Sequence, residues 1–207
     1  MRLTIISDTH GEQEKLGALC GEVLIHCGDM FNMFSGDRDE FERMDDWFGR
    51  QEFDLILCIG GNHDFELQKR ALYTDRPFRN AVYLEGATYR YRELIFYGAP
   101  WVPDLRGQAY FRDRHELQHC WSQMPPGVDV LITHTPPAGI LDVSSRGEQL
   151  GCEYLSLELK SKSPRLHSFG HVHAGSGVQV LGDTTYINAA LVNRQYQLCR
   201  KPYEHVL

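Results

Sequence analysis

At 207 residues, of which 42% are hydrophobic, the chain is long enough for one sizeable core, so a single domain over residues 1–207 is expected. Its formal net charge of -7 excludes the extended basic face that duplex nucleic acid requires, and a small substrate is the easier fit. Six scattered cysteines without a CxxC pair exclude a zinc ribbon and read as small buried hydrophobes of a reducing compartment.

The first strand begins at Arg2, which leaves no room for a signal peptide, and no run approaches the ~18 apolar residues of a membrane span, so a soluble, cytoplasmic protein is expected. Leu3 to Ile6 is the first of several short apolar runs that stop at a polar motif, here Asp8-Thr9-His10. Helical spacing follows from Glu12 to Cys20, and then Val23 to Ile25 runs toward Gly28-Asp29. Phe41, Met44, Trp47 and Phe48, set among acids and arginines, predict a helix from Asp37 to Arg50. Leu55 to Ile59 ends before Gly61-Asn62-His63-Asp64, and Asp64, just ahead of Phe65-Glu66-Leu67, reads as a helix N-cap.

From Asn80 to Tyr97 the pattern turns β-rich: Val82-Tyr83-Leu84, then Tyr89-Arg90-Tyr91 and Leu94 to Tyr97 about an Arg92-Glu93 turn. Pro100 to Asp113, with two prolines and Gly107, reads as a loop and as the place where mobility is expected. His115 to Met124 and Cys152 to Ser161 have helical spacing, while Val128 to Ile132 and Leu166 to Phe169 run into His134 and Gly170-His171-Val172-His173. A hairpin follows, Val178 to Leu181 and Thr184 to Ile187 about Gly182-Asp183. Near-continuous apolar runs of this length mark strands buried on both faces, and loops at their carboxyl ends are where α/β proteins place their chemistry. The five motifs should therefore meet on one rim of a structure with strands in two layers and helices outside.

Asp8 and His10, one residue apart, point to the same side of an extended segment and can hold one cation together. The same parity applies to His171 and His173, although two closely spaced metals could also take one histidine each. Asp29 follows Gly28 at a strand end, where the backbone can turn sharply and aim a carboxylate between two cations. Asn62 offers a neutral oxygen to a site already rich in negative charge, and His134 would complete a second coordination set. One such pair alone is weak evidence for a metal, but five in this order reverse that. Two divalent cations sharing one carboxylate need this mix of Asp, Asn and His, and such a pair hydrolyses phosphate esters. Oxygen and imidazole donors without thiolate suit manganese, the first expectation, or iron, zinc, nickel or cobalt, rather than copper(I).

DxH, GD, GNHD, H and GHxH, in this order from Asp8 to His173, resemble the motifs of the calcineurin-like metallophosphoesterase superfamily. The resemblance implies an α/β fold, a four-layer α/β/β/α sandwich of two mixed sheets flanked by helices, with the metals at the strand ends. It implies one ion held by Asp8, His10, Asp29 and His173 and the other by Asp29, Asn62, His134 and His171. Gly98-Ala99-Pro100-Trp101, His134-Thr135-Pro136-Pro137 with Asp142, Gly151-Cys152, and Thr184 to Ala189 further resemble the small MPPED-type phosphodiesterase subgroup, which implies hydrolysis of phosphodiesters, cyclic nucleotides among them. Many superfamily members carry a second acid three residues after the bridging Asp. Here that position is Asn32, so any ion pair orienting His63 must come from elsewhere. The first histidine of GHxH, which some animal members of the subgroup lose, is present as His171.

The expected chemistry is attack on phosphorus by a water activated between the two cations, with His63 as a non-ligand that stabilises the transition state and protonates the leaving oxygen. Trp101, Tyr110 and Phe111 fall in the 100–113 loop, where Trp101 could stack on a nucleobase of the substrate. Phe31, Met33 and Phe34 could wall the pocket or be buried against it, and Asp142 could orient a ligand or simply close a turn. His26 and His167, inside strands, read as core histidines, and His115, His119 and His205 as surface ones. The alternatives of other classes are a metal-dependent nuclease, a protein or small-molecule phosphomonoesterase, and a non-enzymatic scaffold keeping the fold. A scaffold would be expected to have lost ligands, and none is missing. The expected partner is a small phosphate ester, with no membrane, and the protein a monomer or homodimer.

Overall fold

Side-chain parity along the strands sorts the apolar residues into three cores. The computed structural model describes residues 1–32 and 39–207. In the first half the order is β1 (Arg2–Ile6), β2 (Val23–His26), α1 (Glu40–Gly49), β3 (Leu55–Cys58), α2 (Phe65–Ala71), β4 (Val82–Tyr83), β5 (Ala87–Tyr91) and β6 (Leu94–Ala99). The second half continues with α3 (Arg114–Ser122), β7 (Val130–Thr133), α4 (Glu153–Leu159), β8 (Leu166–Phe169), β9 (Gly177–Leu181), β10 (Thr184–Asn188) and β11 (Tyr203–Val206).

One sheet runs β11-β1-β2-β3-β4 and the other β5-β6-β7-β8-β10-β9. Inner pairings are parallel, and the antiparallel strands β11, β5 and β9 lie at the edges. Alternate residues such as Leu3, Ile5, Val23 and Ile25 meet Phe96, Val130, Ile132 and Ile187 between the sheets. Their neighbours Ile6, Leu24 and Ile56 face the other way, onto Phe41, Met44, Trp47 and Phe48 of α1 and Leu67 of α2. On the far side Tyr97, Leu131 and Phe169 pack against Leu117 and Trp121 of α3 and Leu155 of α4. The result is the α/β/β/α sandwich expected from the sequence, with the carboxyl ends of β1, β2, β3, β7 and β8 on one rim.

Several local readings need correction. The helix read from Glu12 to Cys20 is one 3-10 turn, Gln13–Leu16, because Gly17 turns the chain at φ 69. Val82 and Tyr83 do form a strand, and it pairs parallel with β3. The edge strand β11 was not foreseen. The 100–113 loop is tied down: Val102 N donates to Tyr110 O (3.1 Å), Arg112 N to Val102 O (3.1 Å), and Trp101 and Tyr110 are buried. Both hairpins form as expected, with Arg92 at φ 51 and Gly182 at φ 58 in their turns.

Candidate metal centre

The loops after β1 and β2 are laced together by main-chain hydrogen bonds: Asp8 N to Gly28 O (2.9 Å), His10 N to Asp29 O (3.1 Å) and Gly11 N to Met30 O (2.8 Å). This lacing bends the chain sharply, and Asp8, His10, Asp29 and His171 all take positive φ, at 54°, 44°, 54° and 68°. Non-glycine residues there cost on the order of 1–3 kcal/mol each, and such strain gathers at functional sites. Gly28 takes φ 92 with Gly60 O 2.5 Å from where a Cβ would stand, and a Cβ on Gly170 would lie 2.1 Å from Asp8 Oδ2. Both motif glycines are therefore required by close approach.

The rim collects seven candidate ligands. His173 Nε2 lies 3.2 Å from Asp8 Oδ1, and His10 Nε2 lies 3.9 Å from the same oxygen and 3.8 Å from Asp29 Oδ2. On the other side of Asp29, His134 Nε2 is 3.4 Å from Oδ2 and 3.0 Å from Asn62 Oδ1, which His171 Nδ1 approaches to 2.9 Å. Asp8, His10 and His173 form one group that could hold a metal ion, and Asp8, Asp29 and His134 another; a third joins His10, Asp29 and His63. Ligand atoms around one ion at ~2.1 Å stand ~3–4 Å apart, which is the spacing found.

Proton accounting also fits cations. His134 Nδ1 faces the Cys27 carbonyl (2.8 Å) and His173 Nδ1 the Asn193 carbonyl (3.2 Å), so each ring donates Nδ1–H there and turns Nε2 toward the carboxylate of Asp29 or Asp8, where a proton or a cation must sit. Burial pushes the His134 pKa down, but the Asp29 carboxylate outweighs it and lifts the ring to about 9. Among the described residues His10 has no hydrogen-bond partner at either buried ring nitrogen, and burial brings it down to about 4. Against their own burial, Asp8 is held well below the usual carboxylate range by His173, and Asp29 by His134. A buried imidazole without a partner, beside carboxylates that stay ionised, is what metal ligation resolves.

Asp64 stands at the N-terminus of α2, but its side chain makes no capping hydrogen bond. It accepts instead from Met30 N (2.9 Å), Phe31 N (3.1 Å) and Gly61 N (2.8 Å), joining the Asp29 loop to the Asn62 loop. His63 donates its main-chain N–H to Asp29 Oδ1 (2.8 Å), and its ring Nε2 lies 3.9 Å from Asp29 Oδ2. Asp29 is thus an acid beside His63. Asp142 is buried and accepts from Gly139 N (2.9 Å), the turn-closing role. His26 and His167 are buried on their strands and hydrogen-bonded to Thr9 and Thr133. His115 and His119 are exposed, while His205 is half-buried on β11.

Trp101 is not at the centre. Only 7% exposed, it packs on Trp121 at 4.9 Å between ring centroids, because the chain leaving β6 is covered by α3, so the stacking role expected of it has no structural basis. Phe31 is buried against Phe41, and Met33 and Phe34 lie outside the described residues. Among the described residues the aromatic side chain at the centre is Tyr196, which the sequence reading missed. Its only local signal is the turn-forming Asn193 three residues before it. With Asp29, Asn62, His63, His171 and His173 it lines a cleft of about 510 Å³.

Comparison with known proteins gives the fold and the family. The chain is 33% identical to human metallophosphoesterase domain-containing protein 1, over 97% of this chain and 69% of that protein. A UPF0046 protein of Caenorhabditis elegans is 34% identical over 98% of this chain and 73% of its own length. Phosphopantetheinyl hydrolase from Mycobacterium tuberculosis shares the fold, with a TM-score of 0.62 at 15% identity over 94% of this chain and 90% of that one. Residues 1–175, a span that holds all five motifs, match the family described as calcineurin-like phosphoesterase, and the chain belongs to that family.

Proposed function

We propose that the chain is a binuclear metal-dependent phosphodiesterase acting on small, nucleotide-like esters, cyclic ones included. The observation that carries this reading is the convergence of two acceptor-rich sets on Asp29. One ion would be held by Asp8, His10, Asp29 and His173, the other by Asp29, Asn62, His134 and His171. Oxygen and imidazole donors suit manganese, and equally iron, zinc, nickel or cobalt. Bound ions would supply positive charge for the phosphoryl oxygens and acidify a water at neutral pH.

The chain's own residues do the rest. Main-chain bonding to Asp29 fixes the backbone of His63, whose half-buried ring lines the cleft and can pass a proton to the departing oxygen. The Cys27 and Asn193 carbonyls hold the rings of His134 and His173 in one orientation. A cleft of about 510 Å³, lined beyond the centre by Leu105, Leu150 and Tyr196, is in the range that takes a whole small ligand, which supports a diester over a bare phosphoryl group. Among the described residues no helix is long and apolar enough to cross a membrane.

The test compares kcat/KM for a 2′,3′-cyclic nucleotide, bis-p-nitrophenyl phosphate and p-nitrophenyl phosphate with manganese supplied. The two diesters should be preferred. Preference for the monoester would assign the chain to phosphomonoester hydrolysis instead.

A further inference from the structure

Tyr196 has a geometry that the holding of metals does not explain. Its ring centroid lies 4.7 Å from that of His10, 5.6 Å from that of His173 and 5.8 Å from that of His63. It stands near perpendicular to the first two rings, at 84° and 86°. Its backbone takes φ 58, a region that bulky side chains avoid. A turn enforces it: Tyr196 N donates to Asn193 O (3.0 Å), and Asn193 Oδ1 accepts from Gln195 N (2.9 Å) and Gln197 N (3.0 Å). The same Asn193 carbonyl receives His173 Nδ1, so one turn sets both the histidine and the tyrosine.

Despite this fixing, Tyr196 remains 41% exposed. Strain spent to hold an exposed aromatic ring over an ionisable cluster points to contact with something outside the chain. Leu105 and Leu150 line the same cleft, so a flat group held there meets apolar surface as well as the tyrosine ring.

We infer that Tyr196 is a substrate-contacting residue whose ring holds the retained, non-scissile ester group of a phosphodiester, and that this group is aromatic or a nucleobase. The inference rests on the diesterase reading above. It gives the aromatic contact to the turn after β10.

Two diesters with one leaving group isolate the retained group: bis-p-nitrophenyl phosphate, which keeps an aryl ester, and methyl p-nitrophenyl phosphate, which keeps a methyl. In the manganese-loaded protein, Tyr196→Ala should cut the aryl-over-methyl preference in kcat/KM roughly tenfold, mainly through KM, as loss of one stacking contact does. Tyr196→Phe should keep the wild-type preference. Metal content measured in each variant separates this from a structural role, since the ring also packs on His10 and His173. Equal losses on both diesters, with or without loss of metal, would overturn the assignment, and so would a Phe variant that behaves like Ala. A wild-type protein that hydrolyses p-nitrophenyl phosphate but neither diester would sink the diesterase reading itself, and Tyr196's role with it.

Discussion

Asp64 Oδ1 accepts the main-chain N–H of Met30 at 2.9 Å, a bond across 34 positions that fastens the loop of Asp29 to the loop of Asn62. Asp64→Asn keeps the volume but turns one acceptor into an NH₂ group that faces an N–H donor. Losing a buried bond of this kind costs ~1–3 kcal/mol. The urea midpoint of the metal-free protein should fall accordingly, and manganese affinity with it, because two ligand loops lose their common tie. An unchanged midpoint and affinity would show that Asp64 ties nothing.

The strands were legible because Leu3 to Ile6, Leu55 to Ile59 and Val130 to Ile132 are buried on both faces, so their apolar runs stop where the polar motifs start. The rim followed from that. What the sequence hid depends on distance in the chain. Asp64 looks like an N-cap because a helix follows it, and nothing nearby shows that its partners are Met30 and Phe31. Trp101 looks like a loop aromatic until α3 is placed over it. Tyr196 lies outside every ligand motif and reaches the centre only because β10 runs parallel to β8, which brings the turn after it beside His173.

His63→Ala should leave both metals bound and slow hydrolysis. General-acid help is commonly worth ~100-fold or more, and a poor leaving group such as a ribose hydroxyl needs it far more than p-nitrophenol does. The fall in kcat should therefore be larger on a cyclic nucleotide than on bis-p-nitrophenyl phosphate. Collapse of metal content in the variant would make His63 a ligand instead.

Stability should decline below neutral pH through His26 and His167, neither of which is a candidate ligand. Burial drives His26 and His167 down from 6.5 to about 3, in His26 against the pull of the Asp8 carboxylate. The unfolded chain then binds these protons first, so stability is complete above about pH 6.5 and falls as the pH drops from there toward 3. Each ring contributes roughly 1.4 kcal/mol per pH unit within that window. His167→Gln, which can still donate to Thr133, should flatten the slope of unfolding free energy against pH by one proton. The same slope in wild type and variant would refute it.

The central claim is that Asp29 joins two metal sites which together make the esterase. The most direct measurement is a manganese titration of chelator-treated protein that follows bound ions per chain and hydrolysis of bis-p-nitrophenyl phosphate in the same samples. Activity should be absent after chelation and return as two ions bind, and Asp29→Ala should lose it by several kcal/mol in barrier, on the order of 10³-fold or more. Full hydrolysis without metal, or full hydrolysis in Asp29→Ala with two ions still bound, would contradict the account.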